Sequence, residues 1–376
     1  MQVKCSRIPL VRILLLVSLL LVSGLAGAGC AQTGAVPRGW SGAVSADGTL
    51  FLGSMDGELV ALEASTGVRL WEVPLEEAKS SGGFGCAAPA SSVAIYGTPA
   101  VAGDLVYVSG YNGKVYAINS SSGALRWVYP REGNLQPIVG GPVVASGRVY
   151  FGSADGKVYA LDAATGDMEW EFGTGDKIWS TPAVDGDTLY ISSFDKKLYA
   201  LKTSDGSKKW EFETEGAISA TPLIYEGTVY IGSFDRYLYA VDADDGSLRW
   251  KFMGGNWFWA RTVPCDSIIY AGCLDGKVYA LDADTGDKVT EFDLESPVSS
   301  SPVLVNGSLV VASEEGRVYS LTSNRKATLR DLEEKVSAPL CAGDGVVYVH
   351  TQKHDTLYAV NAETGVTLWS LPLGKK

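Results

Sequence analysis

A group of aromatic side chains around one arginine is the first feature of the sequence that could bind a ligand. Five aromatic residues and Arg261 fall at or beside one position of an internal repeat, and Arg261 ends the segment GGNWFWAR. Such rings could receive a planar or anionic ligand, or a partner's peptide, by stacking and by forked hydrogen bonds. The alternative is that the rings pack sideways between repeats while Arg261 pairs with a carboxylate. The five aromatic residues are Trp40, Tyr96, Trp179, Trp257 and Trp259.

Two other groups have the residue types of metal ligands. His350, His354 and Asp355 lie close together in the chain and could hold a zinc ion. The acidic segments 242–247 (DADDGS) and 282–287 (DADTGD) resemble parts of calcium loops but lack the distal glutamate. We expect the histidines to lie in a surface loop and the acidic segments to form tight turns. The sequence therefore predicts no metal site and no catalytic residue.

The cysteines have no spacing typical of a metal, haem or redox site, because neither CxxC nor CxxCH occurs. Cys5 and Cys30 belong to the N-terminal segment. Four cysteines then remain, an even number that an oxidising compartment would allow to form disulfides. Small buried or loop cysteines are the equal alternative, so the pairing stays open. The four are Cys86, Cys265, Cys273 and Cys341.

An internal repeat must position all of these residues. The block DGKVYALDAATGDMEW at 155–170 is one of eight copies, with successive anchor residues 39 to 43 residues apart after a first step of 56. A glycine follows the anchor by seven residues in every copy except at Lys326, and a tryptophan follows it by eleven except at Thr290 and Arg330. The anchors are Val60, Tyr116, Tyr159, Tyr199, Tyr239, Tyr279, Tyr319 and Tyr358.

Each repeat carries the pattern of four short strands. Apolar residues alternate, and Asp-Gly or Asn-Gly turns separate them at about 40-residue periods, which is typical of a propeller blade. The sequence thus predicts an all-β, eight-bladed β-propeller of four-stranded antiparallel blades, monomeric, over 40–376. The glycine should supply a positive φ in the hairpin between the third and fourth strands. The tryptophan should pack on the next blade, so the junction of repeats six and seven is expected to be the weakest.

Propeller geometry predicts where the aromatic group lies. Two positions of the repeat, twenty and eighteen residues before each anchor, fall at the start of the innermost strand. Both should line the mouth of the central channel. The first position holds Trp40, Tyr96, Val139, Trp179, Ser219, Trp259, Ser299 and, allowing for a two-residue insertion in repeat eight, Val336. The second holds Gly42, Thr98, Gly141, Thr181, Thr221, Arg261, Ser301 and Ala338.

The N-terminal segment has the features of an export signal. Lys4, Arg7 and Arg12 precede the apolar run 13–22, and LAGAGC ends at Cys30 and resembles a bacterial lipobox, although Gly27 replaces the usual Leu, Val or Ile. We expect residues 1–29 to be a lipoprotein-type signal peptide, Cys30 to be lipidated and 30–39 to be a tether. Ordinary secretion or an uncleaved anchor is the alternative. In each case the body of the protein lies outside the cytoplasm.

Composition excludes one class of partner. The 376 residues carry a net charge of −12, and the 28 basic and 43 acidic side chains after residue 29 give −15. A surface this acidic argues against nucleic acid, whose phosphates require basic residues. The insertion 76–91, with Phe84 and Cys86 in its apolar part, is a candidate partner loop, and a merely tolerated insertion is the equal alternative.

The repeat YAL-D-A-x-TG-x-x-x-W, preceded by Thr-Pro or Ser-Pro, is similar to the pyrroloquinoline-quinone-like repeat family. With the lipoprotein-like signal and eight repeats, the whole chain resembles the BamB family of the outer-membrane β-barrel assembly machinery. That resemblance implies a non-enzymatic scaffold, anchored by lipid to the cell envelope, that docks a membrane or envelope protein.

True quinoproteins of the repeat family use an adjacent Cys-Cys pair and a calcium ion, and this chain has no such pair. A quinone-binding or dehydrogenase-like propeller, and a surface adhesion or sensing module, are the alternative functions. No cofactor is expected.

Overall fold

The computed structural model describes residues 39–75, 93–322 and 325–374, and all of their regular structure is β. Within these ranges, thirty-two strands form eight separate four-stranded antiparallel sheets, and each sheet uses four consecutive strands. The prediction of an eight-bladed β-propeller is therefore confirmed. The described part of the chain contains no helical segment with the length and hydropathy that a membrane span requires.

The first four blades follow one strand pattern, with a short first strand and three longer ones. Blade 1 consists of β1 (Val44–Ala46), β2 (Thr49–Gly53), β3 (Glu58–Glu63) and β4 (Arg69–Pro74). Blade 2 consists of β5 (Ala100–Ala102), β6 (Leu105–Gly110), β7 (Lys114–Asn119) and β8 (Leu125–Tyr129). Blade 3 consists of β9 (Val143–Ala145), β10 (Arg148–Gly152), β11 (Lys157–Asp162) and β12 (Met168–Gly173). Blade 4 consists of β13 (Ala183–Asp185), β14 (Thr188–Ser192), β15 (Lys197–Lys202) and β16 (Lys208–Glu213).

The last four blades repeat that pattern. Blade 5 consists of β17 (Leu223–Tyr225), β18 (Thr228–Gly232), β19 (Tyr237–Asp242) and β20 (Leu248–Met253). Blade 6 consists of β21 (Val263–Cys265), β22 (Ile268–Gly272), β23 (Lys277–Asp282) and β24 (Lys288–Asp293). Blade 7 consists of β25 (Val303–Val305), β26 (Ser308–Ala312), β27 (Arg317–Thr322) and β28 (Arg325–Asp331). Blade 8 consists of β29 (Cys341–Gly343), β30 (Val346–Thr351), β31 (Thr356–Asn361) and β32 (Thr367–Pro372).

The order of strands within each blade defines two faces of the ring. The first strands of most neighbouring blades contact each other, so they surround the central channel. Since the strands alternate in direction, the turn between the second and third strands lies at the same end as the connection to the next blade. We call this end the upper face. The lower face carries the hairpins between the first and second strands and between the third and fourth.

Apolar side chains fill the space between neighbouring blades. Between blades 5 and 6, for example, Leu238, Phe258, Ile269 and Leu281 are fully buried in one cluster with Trp250. Seven similar clusters occupy the other junctions. Burial of apolar surface in these clusters stabilises the fold by about 25 cal/mol per Å² and holds the blades together.

The repeated tryptophan and glycine form one contact between blades. In β16 Trp210 donates from Nε1 to the carbonyl oxygen of Ala243 in blade 5 at 3.0 Å, and the Tyr190 hydroxyl reaches the same oxygen at 3.2 Å. The ring lies directly over Gly246, where an added Cβ would stand 2.7 Å from Trp210 Cε3. Gly246 also has a φ of +76°. Both predicted roles are confirmed, and the glycine additionally makes room for the ring.

The same tryptophan contact closes the ring between blade 8 and blade 1. Trp369 Nε1 and the Tyr348 hydroxyl donate to the carbonyl oxygen of Ala64 at 3.1 and 3.2 Å. Beside them, Leu357 of blade 8 and Leu52 of blade 1 are fully buried in a shared cluster. No strand is exchanged between these two blades, because each sheet is complete in itself. Closure therefore depends on side-chain packing and on side-chain hydrogen bonds.

The outer strands of blades 6 and 7 should exchange their amide hydrogens faster than those of blades 4 and 5. Thr290 in β24 and Arg330 in β28 replace the tryptophan, and among the described residues neither donates a hydrogen bond to the next blade. We expect exchange at least about tenfold faster in β24 and β28 than in β16 and β20, since each tenfold corresponds to about 1.4 kcal/mol of local opening energy. Hydrogen exchange read by mass spectrometry measures this. Equal protection in all four strands would contradict it.

Candidate functional site

The upper mouth of the central channel is lined by one residue from the entrance to each blade. These residues surround a cavity of about 120 Å³. They lie in the connections before the first strands rather than at the start of those strands: Trp179, for instance, precedes β13, which begins at Ala183. The eight residues are Trp40, Tyr96, Val139, Trp179, Ser219, Trp259, Ser299 and Ser337.

In blade 8 the predicted mouth residue was wrong by one position. Val336 is fully buried in the core between blades 7 and 8, and Ser337 lines the mouth in its place. Likewise Ala338 is buried and Pro339 lines the channel. The reason is the strand register: Tyr358 pairs with Val349, nine residues away, where Tyr279 of blade 6 pairs with Ala271, eight residues away. The turn therefore contains one extra residue, not two.

Five rings form a continuous apolar surface over blades 4 to 6 on the upper face. Trp179 contacts Phe194 edge-on with centroids 4.7 Å apart, and Phe194 contacts Phe234 at 5.7 Å. Phe234 stacks on Trp257 at 4.5 Å and on Trp259 at 5.5 Å. Trp257 remains 42% exposed. We call Trp179, Phe194, Phe234, Trp257 and Trp259 the upper aromatic surface.

A cation and a second ring group extend this face. Lys177 Nζ lies 4.6 Å from the Trp179 ring centroid and 4.5 Å from that of Phe194. Across the mouth, Trp40 packs edge-on against Tyr96 at 4.5 Å, and Tyr96 against the half-exposed Tyr111 at 5.3 Å. The rings thus do pack sideways on one another, as the alternative interpretation expected, and still leave an exposed aromatic edge.

Phe194, Phe234 and Tyr111 were missed by the sequence analysis. Each lies in the turn between the second and third strands, five residues before the repeat anchor. The signal was present, because that slot holds an aromatic residue in three of the eight copies. These aromatic residues can be assigned to the site only when the turn between the second and third strands is known to lie at the same end of the ring as the mouth residues.

Arg261 lies two residues further into the channel than Trp259 and has no carboxylate partner. Its backbone N–H donates to Ser301 Oγ at 3.2 Å, but among the described residues its guanidinium forms no ion pair or hydrogen bond. The Arg261 side chain is solvent-accessible within the channel, and partial desolvation by the surrounding channel wall lowers the pKa of its guanidinium below the ordinary value. The alternative interpretation, in which Arg261 pairs with an acidic residue, is therefore wrong.

The family of the chain follows from its sequence profile. The profile described as outer membrane protein assembly factor BamB matches residues 26–174, 170–256 and 274–375. The chain belongs to the BamB family. A second profile, described as glucose/ethanol/alcohol dehydrogenase, beta-propeller domain, matches residues 214–301. No curated protein matches the sequence.

Solved structures with low sequence identity share the fold of this BamB-family chain. The crystal structure of BamB from Moraxella catarrhalis superposes with a TM-score of 0.67 at 18% identity, covering 86% of this chain and 92% of that one. The crystal structure of the computationally designed Ika8 protein gives 0.68 at 17% identity, covering 87% and 95%. Because a natural assembly factor and a designed protein share the fold, the fold alone does not assign the function.

The residues of this BamB-family chain do not fit the quinone and calcium that the dehydrogenase propellers imply. The sequence has no adjacent cysteine pair. In the described ranges no group of histidine, cysteine, aspartate and glutamate is arranged to hold a metal ion.

The histidine group lies at the closure of the ring. His350, expected in a surface loop, is 3% exposed, and its Nδ1 and Nε2 lie 2.8 Å from the Ser41 carbonyl oxygen and 2.7 Å from Asp355 Oδ1. That expectation was wrong, because β30 extends through His350 and carries it into the contact with blade 1. His354 is mostly exposed, and its Nδ1 lies 2.9 Å from Glu334 Oε1.

The acidic turns and the described cysteines have structural roles. Asp242 and Asp282 accept backbone N–H groups of their own hairpins, which confirms them as turn residues. Cys265, Cys273 and Cys341 are free thiols. Burial raises the pKa of the Cys273 thiol to about 12 and that of Cys341 to about 11, so neither is a reactive thiolate at neutral pH.

Three predicted site residues lie outside the described residues: the lipidation candidate Cys30, and Phe84 and Cys86 of the candidate partner loop.

Proposed function

We propose that the chain is a non-enzymatic, lipid-anchored scaffold outside the cytoplasm that docks an envelope protein during outer-membrane protein assembly. The observation that carries this proposal is the BamB profile match, which extends over most of the chain. The expected lipid on Cys30 would hold the propeller at a membrane surface and raise the effective concentration of a membrane partner.

The upper aromatic surface is the docking site that the geometry supports best. Its rings are positioned by turns of a rigid ring of blades, and Trp257 and Phe234 stack in fixed orientation. Aromatic side chains that are already ordered lose little conformational entropy on binding, and they are enriched in the energetic centres of protein interfaces. Lys177 beside Trp179 adds a positive charge to a chain that is acidic overall. An acidic, partly apolar segment of the partner would match this surface.

A photo-crosslinking amino acid at position 257 should capture one membrane-embedded assembly protein in intact envelopes. The matched control carries the same amino acid at position 289, because Val289 is 59% exposed on the outermost strand of blade 6, away from the upper face. We expect an adduct from position 257 and none from 289, with mass spectrometry identifying the captured chain.

A Phe234→Ala variant of the chain with the crosslinker at 257 tests whether ring stacking matters. We expect at least about a tenfold loss of adduct, since truncation of an interface aromatic costs about 2 kcal/mol or more. Capture of the same protein from both positions, or of no envelope protein from either, would count against docking through this face.

The second candidate function is a small-molecule or quinone-binding propeller, favoured by the dehydrogenase-propeller match over residues 214–301. In an organism without an outer membrane, a surface adhesion or sensing module is the corresponding scaffold role. If the mouth binds a small molecule, the triple substitution Trp257→Ala, Trp259→Ala and Arg261→Ala should abolish binding. Titration with quinone and Ca²⁺, followed by tryptophan fluorescence, separates this candidate from the scaffold.

A further inference from the structure

Among the described residues that line the central channel, Arg261 carries the one positive charge and forms no ion pair. Arg261 lines the mouth cavity of about 120 Å³ and also the cavity of about 480 Å³ beneath it. Neither lining contains an aspartate or a glutamate. Asp185 and Glu226 share a further cavity with Arg261 toward the lower face, but neither forms an ion pair with it.

The hydroxyl groups around Arg261 are hydrogen-bond donors without a partner. Thr181 Oγ1 accepts the N–H of Gly141 at 2.8 Å, and Ser301 Oγ accepts the N–H of Arg261 at 3.2 Å. Each hydroxyl oxygen has therefore used a lone pair and keeps its hydrogen to donate. Within the described part of the chain neither hydrogen reaches an acceptor. Both residues line the mouth cavity, so these hydrogens and the guanidinium N–H groups serve one space.

We infer that the channel is a carboxylate-binding site centred on Arg261, with the Thr181 and Ser301 hydroxyls as further donors. A forked guanidinium matches the two oxygens of a carboxylate. One guanidinium neutralises one negative charge, and the nearby carboxylates of Asp185 and Glu226, which line a cavity with Arg261, disfavour a second negative charge on the ligand. The small mouth cavity, with Trp259 above Arg261, favours a small or aromatic monocarboxylate. This inference does not rest on the proposed docking function; it names the ligand class of the second candidate, the small-molecule site at the same mouth.

The carboxylate has two possible sources, a free small molecule and the C-terminus of a peptide. Isothermal titration of the full chain with benzoate, up to about 10 mM, tests the first source. A tetrapeptide with a free C-terminal phenylalanine, compared with its C-terminal amide, tests the second. We expect benzoate to bind one site per chain and neutral benzamide to bind at least about tenfold more weakly, as expected for the loss of a charged hydrogen bond. A peptide C-terminus is the source if the free-acid tetrapeptide binds at least about tenfold tighter than benzoate and the tetrapeptide amide does not.

Variants separate the site from non-specific binding. Arg261→Gln should weaken benzoate at least about tenfold, Arg261→Lys should weaken it less, and Arg126→Gln, on the exposed outer strand of blade 2, should leave it unchanged. Equal benzoate affinity in Arg261→Gln, or no benzoate binding to the parent chain, would overturn the inference.

Discussion

Replacing Gly246 by alanine is expected to destabilise the propeller by about 3 kcal/mol, a large effect for one methyl group. The backbone at Gly246 has a φ of +76°, which costs an alanine about 1 kcal/mol. The new Cβ would also stand 2.7 Å from Trp210 Cε3 and 2.8 Å from Cδ2, so the ring must move. Forcing a methyl group into a packed contact costs about 1 to 3 kcal/mol. Denaturant unfolding followed by tryptophan fluorescence measures the change.

Gly147→Ala is the matched control for Gly246→Ala. Gly147 has the same φ of +76°, but nothing lies within 4 Å of its added Cβ, so only the backbone cost of about 1 kcal/mol should appear. The difference between the two variants isolates the contact with Trp210. A Trp210→Ala background should reduce that difference toward zero, because the ring that clashes is gone. If the two glycine variants are equally destabilised in the parent chain, the ring does not restrict this position.

The tryptophan and glycine of the repeat could be interpreted from sequence because they recur with the blades. The position eleven residues after the anchor requires a tryptophan ring, and the position seven residues after it requires a positive φ. Both requirements can be recognised because most copies of the repeat show the same residue there. Two of the three exceptions agree with the contact as well. Blade 6 has Thr290 instead of tryptophan, and blade 7 has Lys326 at the glycine slot that the missing ring would have covered. The third, Arg330 in blade 7, lies opposite a retained glycine, because Gly365 of blade 8 has a φ of +70° and an added Cβ there would meet the Leu329 carbonyl oxygen.

The features that could not be predicted depend on breaks in the period. Val336 was placed at the mouth because a turn insertion was counted by residues, whereas strand register decides which side chain faces the channel. His350 was placed in a loop because it was counted into the turn insertion, whereas strand register places it in β30 at the position that Gly272 holds in β22. The unpaired state of Arg261 depends on the charges of other blades across the channel, and no local pattern in the sequence contains that information.

Asp355→Ala should destabilise the chain by about 3 kcal/mol or more, because Asp355 joins the first and last blades. Its Oδ1 lies 2.7 Å from His350 Nε2 and its Oδ2 accepts the N–H of Met55 in blade 1 at 3.0 Å. His350 in turn reaches the Ser41 carbonyl oxygen from Nδ1 at 2.8 Å. Removing the carboxylate leaves the imidazole and a backbone N–H without this partner in a buried site, and breaking a buried pair costs about 3 to 5 kcal/mol. Unfolding in denaturant and hydrogen exchange in β1 and β29 measure the loss.

Two variants show whether the hydrogen bonds of Asp355 or its backbone position matter. Asp355→Asn keeps both contacts, because the amide can donate to Nε2 of a neutral His350 and its oxygen can accept from Met55; we expect a cost of about 1 kcal/mol or less. Lys196→Ala changes the equivalent turn position of blade 4, also at positive φ, where the side chain is in solvent. It should cost no more than about 0.5 kcal/mol. Equal stability of Asp355→Ala and Lys196→Ala would contradict the role of Asp355. Because no strand is exchanged between blades 8 and 1, the closure would then be held by the apolar cluster around Leu52 and Leu357 and by the Trp369 contact.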